Sequence, residues 1–215
     1  MKKAHDNGFQ IASHTYEHKI SDNTTAFKEA LTLQDDFIER VTGDRPHYFR
    51  APKGHCYEEC QANLDQWGYK LIEWDTDTND WDLEGSGSEQ KRIEDSINFL
   101  KEKFAEENDN YLILMHDTES YTVSDIAPWI IEKSGMKEKG YRFVTVAECL
   151  GDKSSMYVSG KTYGDETRNI SITNGNDTSL IANDNNQNLN SGALSIDSFS
   201  LLSLVFVGLL SFLLF

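Results

Sequence analysis

Apolar and polar positions alternate in short blocks through the first 150 residues. Residues 9–14 read as a short strand ending in polar side chains. Over 24–42, Phe27, Ala30, Leu31, Phe37, Ile38 and Val41 recur near helical spacing, and Gly43 follows as a stop signal, which predicts an amphipathic helix. Residues 47–50 are a second strand candidate and run into Ala51-Pro52-Lys53-Gly54, a loop by its Pro and Gly content. A short helix is expected over 56–67, and a third strand over 69–74 that ends in the acidic run 75–82. Residues 85–88 read as a loop, with Ser86 and Glu89 at the spacing of a capping box. Ile93, Ile97, Leu100 and Phe104 then form one stripe of a long helix. The continuous apolar run 111–115 is what a strand buried on both faces requires, and it ends in His116-Asp117. Residues 124–134 predict another helix with Pro128 in its first turns, and 142–146 a last strand.

Strand and helix alternate throughout, which predicts a parallel α/β architecture, either a doubly wound sheet or a barrel. Loops after the strands' C-terminal ends carry function in both. The polar clusters at 14–18, 50–54, 75–81 and 116–117 each follow a strand, so a shared site is expected there.

Past residue 151 the pattern stops. Residues 152–193 are rich in Ser, Thr, Asn, Asp and Gly and predict a solvated, disordered stalk, so the first domain is drawn at 1–151. Asn169 and Asn176 begin glycosylation acceptor triplets in this stalk, and Asn23 begins another near the first histidine pair. Residues 194–215 form an apolar tail whose last 17 residues, 199–215, carry no charge. Small residues near Asn190-Ser191-Gly192-Ala193 precede it, the order of a GPI-attachment signal; a short transmembrane helix is the second reading. The start shows no apolar leader, and a membrane-directed tail without an entry signal predicts that the N-terminus is truncated. The expected location is the extracellular face of the plasma membrane or the cell wall.

Composition narrows the partners. The net charge of −16 disfavours nucleic acid and anionic lipid and tolerates a neutral or cationic polymer. Three cysteines are an odd count for a secreted chain. Cys56 and Cys60 permit a local disulfide in an oxidising compartment, or two reduced thiols.

Four clusters carry candidate chemistry. In His14-Thr15-Tyr16-Glu17-His18, two imidazoles four residues apart fall on one side of a helical turn and can reach one cation. By itself this loose pattern fits a metal site and two ordinary histidines equally. Arg50 at a strand end suits a carboxylate partner, and the Pro52-Lys53-Gly54 turn can present backbone N–H groups to an oxyanion; a plain turn with a surface arginine is the simpler account. The run 75–81 lacks the Gly and the closing Glu of an EF-hand; Asp80 could orient a histidine and Trp81 stack on a sugar, or the segment is a solvated loop around a buried indole. His116, ending a buried strand, is placed for acid–base work.

In this order the clusters resemble the motif series of polysaccharide deacetylases with a NodB-type domain, the group that includes chitin deacetylases. His14 to His18 is similar to that family's H-[ST]-x-x-H, Arg50 to Gly54 to its R-x-P-Y-G with Lys53 where tyrosine is usual, Asp77 to Trp81 to D-[ST]-x-D-W, and Leu114 to His116 to L-x-H. The resemblance implies an incomplete distorted (β/α) barrel. It also implies that a divalent metal, zinc or alternatively cobalt, sits on His14, His18 and an aspartate. Arg50 would pair with an aspartate base, and Lys53 N–H would face the oxyanion. His116, oriented by Asp80, would protonate the leaving amine, while Trp81 and Leu114 would line the acetyl pocket. The family's Thr-Phe-Asp-Asp motif, which holds both aspartates, has no counterpart here, since only 13 residues precede His14. The resemblance therefore implies hydrolysis of N-acetyl groups on chitin or chitooligosaccharide, with little activity from this chain alone. A non-catalytic cell-surface carbohydrate-binding protein is the alternative, and a histidine-rich metal-binding surface protein the third.

Overall fold

The computed structural model of the chain describes residues 1–158 and the strand 204–205. Asn169, Asn176 and the rest of the predicted stalk and tail lie outside the described residues. Among the described residues no helix is long and apolar enough to cross a membrane.

The chain opens with a short helix, α1 (Lys2–Asp6), that the hydrophobic pattern does not signal. The strand expected over 9–14 shrinks to a single parallel bridge, Ser13 opposite Phe49, closed by Ser13 N–H to the Tyr48 carbonyl and Arg50 N–H to the Ser13 carbonyl. Helix α2 (Thr24–Thr42) forms as its periodicity requires. Asn23 caps it, its Oδ1 accepting the Ala26 N–H at 3.0 Å, and Gly43 ends it at φ 87°, a conformation that costs glycine no Cβ clash. Phe27, Leu31, Asp35 and Ile38 form its buried face.

Strand β1 (Tyr48–Phe49) pairs in parallel with β2 (Lys70–Leu71), and α3 (Glu58–Gln66) crosses between them. Strand β3 (Thr76–Asp77) pairs in parallel with β4 (Ile113–Leu114). Strand β3 lies inside the acidic run 75–82, beyond the expected strand 69–74, of which β2 is the part that forms. Its acidic composition hides it, but Thr76 is buried and pairs with Ile113 of β4. The supposed loop 85–88 is also revised: α4 (Leu83–Ser86) is capped by Asp82, and α5 (Glu89–Ala105) is capped by Ser88 accepting the Lys91 N–H, not by a Ser86–Glu89 box. Ser86 is already committed to the end of α4. The buried stripe of α5 is Arg92, Ser96, Leu100 and Phe104, with Ile93 and Ile97 only partly covered.

The helix predicted over 124–134 starts earlier and is widened into two π-helical segments, Thr122–Ile126 and Trp129–Lys133, on either side of Pro128. Proline has no N–H to complete the α-helical ladder at this point, and the wider turn is one way to absorb the gap. Strand β5 (Phe143–Val144) pairs in parallel with β6 (Leu204–Val205), and α6 (Val146–Cys149) follows β5.

Every strand pair is parallel, as the alternation requires. Among the described residues the strands form three two-stranded pieces and do not close into one sheet, in keeping with an incomplete barrel. The packing beneath them falls into three clusters. Phe27, Leu31, Phe49, Ala51, Cys56 and Leu64 join α2, β1 and α3. Ile11, Ile38, Tyr48, Val146 and Tyr157 join the segment after α1, α2 and β1 to residues 146–157. Leu100, Phe104, Ile113, Ile126 and Ile130 fix α5 and the π-helical stretch against β4. Each full burial of such a side chain contributes roughly 1.5–3 kcal/mol. Because the pairs are parallel, the segments after Ser13 and β1 leave one piece at the same end, and those after β3 and β4 leave another at the same end, and it is there that the polar clusters lie.

Candidate active site

The segment 14–18 is a bend and not a helical turn: Thr15 and His18 both have left-handed φ, 65° and 53°. This corrects the helical placement of the histidine pair. Thr15 Oγ1 steadies the bend by accepting the Lys19 N–H at 3.0 Å. The two imidazoles still meet, edge to face, with centroids 4.8 Å apart. His14 is buried, and its Nδ1 lies 2.6 Å from the Arg50 carbonyl oxygen. A carbonyl only accepts, so Nδ1 carries the proton and the Nε2 lone pair is left available. Burial, with the Arg50 charge next, pulls the His14 pKa down to about 3, so the ring is neutral at ordinary pH. Burial, then the charges of Arg50 and Lys53, lowers His18 as well.

Arg50, 4% exposed, stands at the end of β1. Burial lowers its pKa to about 10, opposed by the carboxylates of Glu73, Asp77, Asp80 and Asp117. Glu73 is the nearest in effect. Burial raises its own pKa, against the Arg50 charge and a hydrogen bond from the Ala51 backbone. Lys53 sits in the tight turn Pro52–Gly54 at φ 58°, its side chain exposed. Gly54 follows at φ 69°, and a Cβ there would stand 2.9 Å from the Trp74 ring. The turn therefore packs directly on the end of the β2 segment.

Asp80 is fully buried. Its Oδ1 lies 2.8 Å from His116 Nδ1, while Oδ2 accepts the His116 backbone N–H and the Thr122 hydroxyl, each at 2.7 Å. The Tyr121 hydroxyl donates to the Asp80 carbonyl. Burial alone would raise the Asp80 pKa; the hydrogen bonds from the His116 side chain and backbone and from Thr122 together hold it below the ordinary aspartate value. His116 Nδ1 is thereby engaged and Nε2 is turned to other partners. Leu114 is buried, with its carbonyl accepting the Thr78 hydroxyl. Trp81 is 54% exposed, which excludes the buried-indole reading.

His14, His18, Arg50 and His116 are close enough that the charges of Arg50 and His116 both act on the histidine pair. Glu73, Tyr121 and Thr122 are site neighbours that the sequence did not single out, whereas Asp117 belongs to the expected 116–117 cluster. Glu73 lay within an ordinary strand pattern, and Thr122 and Tyr121 reach Asp80 only through the turn after β4. Cys56 and Cys60 form a disulfide, resolving the two alternatives, and Cys149 is a free thiol. Asn23 is exposed at the start of α2, its Oδ1 engaged as a cap.

The donor chemistry suits a divalent metal in part. Two neutral imidazoles supply two nitrogen ligands of the kind zinc prefers. Among the described residues no cluster of three His, Cys, Asp or Glu side chains is placed to hold a metal.

A family model described as Polysaccharide deacetylase matches residues 1–72. The chain is 32% identical over 160 residues to a chitin deacetylase of Colletotrichum lindemuthianum, an alignment covering 71% of this chain and 60% of that protein. It is 26% identical over 170 residues to the peptidoglycan-N-acetylglucosamine deacetylase PgdA of Listeria monocytogenes, covering 78% of this chain and 32% of the other. The chain thus spans 60% and 32% of the length of these two relatives. The solved structure of the Colletotrichum chitin deacetylase superposes with a TM-score of 0.62 at 26% identity, covering 76% of this chain and 72% of the other. A pseudoenzyme of the same fold from Bacillus anthracis superposes with a TM-score of 0.55 at 21% identity and shows the fold alone. The match over the N-terminal segment, the chitin deacetylase relative and the shared fold together support a chitin deacetylase-like family for the chain, within the polysaccharide deacetylases.

Proposed function

We propose that the protein hydrolyses N-acetyl groups of a chitin-like polysaccharide with a divalent metal, zinc or alternatively cobalt, and that residues 1–215 supply only part of that machinery. The observation that carries this is the convergence of His14, Arg50, Asp80 and His116 from separate strand ends, with Asp80 fixing the His116 ring. The relatives are chitin and peptidoglycan deacetylases, which supports an N-acetylated polysaccharide as the substrate class.

His14 and His18 would hold the metal through neutral imidazole nitrogens. When bound, the metal supplies Lewis acidity toward the acetamide carbonyl and toward water. The Lys53 backbone N–H would stabilise negative charge developing on the acetamide oxygen. A backbone donor is indifferent to its side chain, so lysine at this position is compatible with that role. His116, its Nδ1 proton directed at Asp80, would deliver a proton from Nε2 to the departing amine. Arg50 would orient a carboxylate base. Leu114 and Trp81 would wall the acetyl group. Two nitrogen ligands are short of a three-ligand site, which supports low activity of residues 1–215 alone.

The location and modifications are proposed with it: an extracellular or cell-wall protein, held by a GPI anchor or membrane segment within 194–215 and glycosylated at Asn23, Asn169 and Asn176. The disulfide is consistent with an oxidising compartment.

The test is acetate release from chitooligosaccharides with added zinc. The 215-residue chain should release little. The same chain preceded by a segment carrying the family's Thr-Phe-Asp-Asp motif should release acetate, and His116→Ala should abolish it. Full activity of the unextended chain refutes the division of the machinery; an inactive but folded extended chain favours the non-catalytic carbohydrate-binding reading.

A further inference from the structure

Resting on the reading of this protein as secreted, we propose that the Asn23-linked glycan lays its first sugars in the groove between α2 and Trp67. The groove is an open trough of about 660 Å³, lined by Thr24, Thr25, Lys28, Thr32, Leu33 and Trp67. None of His14, His18, Arg50, Asp80 and His116 lines it. Thr24 and Thr25 belong to the acceptor triplet that Asn23 begins, so the groove opens beside the residue that would bear the sugar. From Thr24 to Leu33 it follows α2 for roughly 13 Å, at about 1.5 Å of rise per residue.

Asn23 is exposed, and it caps α2 through Oδ1, which accepts the Ala26 N–H at 3.0 Å. The cap uses the oxygen, and glycosylation uses the nitrogen. A bond forms between Asn23 Nδ2 and the anomeric carbon of the sugar, and Nδ2 gives up a proton. The bond from that carbon to the diphosphate of a lipid-linked oligosaccharide donor breaks, and the lipid diphosphate leaves. Oδ1 remains an acceptor throughout. The same residue can therefore hold the helix start and a glycan, and the cap fixes the root of the glycan at the groove's end.

The seat is built before any sugar arrives. Trp67 is half-buried, and its N–H donates to the Asn63 and Leu64 carbonyls. Its ring packs on the buried Phe27, with centroids 5.3 Å apart, and Lys28 Nζ stands 5.3 Å from the ring centroid. The Thr24 hydroxyl donates to Glu59 Oε1 at 3.3 Å and ties this end of the groove to α3. Leu33, at the other end, is 58% exposed. The C–H face of a sugar covers an indole and an aliphatic side chain, while Thr32, Lys28 and Glu29 offer polar partners to its hydroxyls. Lys28 and Glu29 carry opposite charges, which suits a neutral sugar. Weak contacts suffice, because the covalent link at Asn23 makes the docking intramolecular. The Cys56–Cys60 bridge agrees with an oxidising compartment, where such glycans are added.

The experiment is secretion of the full chain from a eukaryotic host behind a cleaved leader, followed by peptide mass spectrometry and hydroxyl-radical footprinting. Asn23 should carry a glycan, and Trp67 and Leu33 should be protected from oxidation. Enzymatic release of the glycan should expose both side chains and lower the Tm by about 2–4 °C, the shift that a modest contact gives in a chain of this size. Asn23→Asp removes the glycan and keeps the capping oxygen, and Thr25→Ala removes it and keeps Asn23; each should reproduce the oxidation pattern of the released form. Leu33→Ser should keep the glycan and lose part of the Tm difference. Asn23 bare while the Cys56–Cys60 bridge forms overturns the proposal and leaves the secreted reading standing. Free thiols at Cys56 and Cys60 overturn the secreted reading itself. A glycan at Asn23 that alters neither the oxidation of Trp67 and Leu33 nor the Tm overturns the seat in the groove.

Discussion

Asp80 and His116, 36 residues apart, are joined twice: Asp80 Oδ1 meets the imidazole Nδ1 at 2.8 Å, and Oδ2 accepts the His116 backbone N–H at 2.7 Å. One carboxylate thus sets both the ring orientation and the backbone that carries it. Asp80→Ala should lower stability by about 3 kcal/mol in urea unfolding, because His116 N–H and the Thr122 hydroxyl lose a buried acceptor. His116→Ala leaves Asp80 two of its donors and should cost only ~1 kcal/mol. In the extended chain both should cut acetate release by roughly 10²–10⁴. The carboxyl is held below its unfolded pKa, so its contribution is complete above about pH 4 and is lost as pH falls through the folded value. An Asp80→Asn chain with unchanged acid stability contradicts this.

Asp35 shows the opposite sign. It is buried on α2, accepts the Tyr69 hydroxyl, and burial raises its pKa to about 6. The folded state disfavours its charge, so stability should be greatest below about pH 4 and fall as pH rises toward 6. The total is on the order of 2–3 kcal/mol, at about 1.4 kcal/mol per pH unit. Asp35→Asn keeps an oxygen for Tyr69 and should remove this slope in pH-dependent chemical denaturation. A slope that survives the substitution assigns the titration elsewhere.

Gly54 couples the Lys53 turn to β2. Its φ of 69° disfavours any L side chain, and a Cβ would approach Trp74 to 2.9 Å. Gly54→Ala should destabilise by about 1–3 kcal/mol. In the extended chain it should also depress acetate release with the fold retained, because the turn that orients Lys53 N–H must shift. Thermal unfolding together with the acetate assay separates the two effects.

His14 and His18 should act as a pair toward zinc. Each of His14→Ala and His18→Ala is expected to weaken zinc binding at least tenfold in competition with a chromophoric chelator, about the loss seen when metal-site partners are removed. Binding that withstands both substitutions would place the metal elsewhere and revive the reading of two ordinary histidines.

Local order in the chain determined much of this. Helix α2 was legible from its spacing and its Gly43 stop, because periodicity and a glycine stop are properties of contiguous residues, while the Asn23 cap emerged with the structure. The parallel architecture followed from alternation alone, and the four clusters at strand ends located the candidate site. Tertiary structure decided what depends on neighbours distant in sequence. Strand β3 exists because Thr76 and Asp77 pair with Ile113 and Leu114, a partnership that outweighs their poor strand character. The bend at Thr15 and His18 replaced a helical turn because His14 is anchored by Arg50, a residue 36 positions away. Glu73 became a site neighbour only when β2 folded beside Arg50. The histidines and the arginine could be named from the sequence because their residue types fit the chemistry. Their protonation and their partners required the fold, because burial and electrostatic contact are set by residues that the linear order keeps apart.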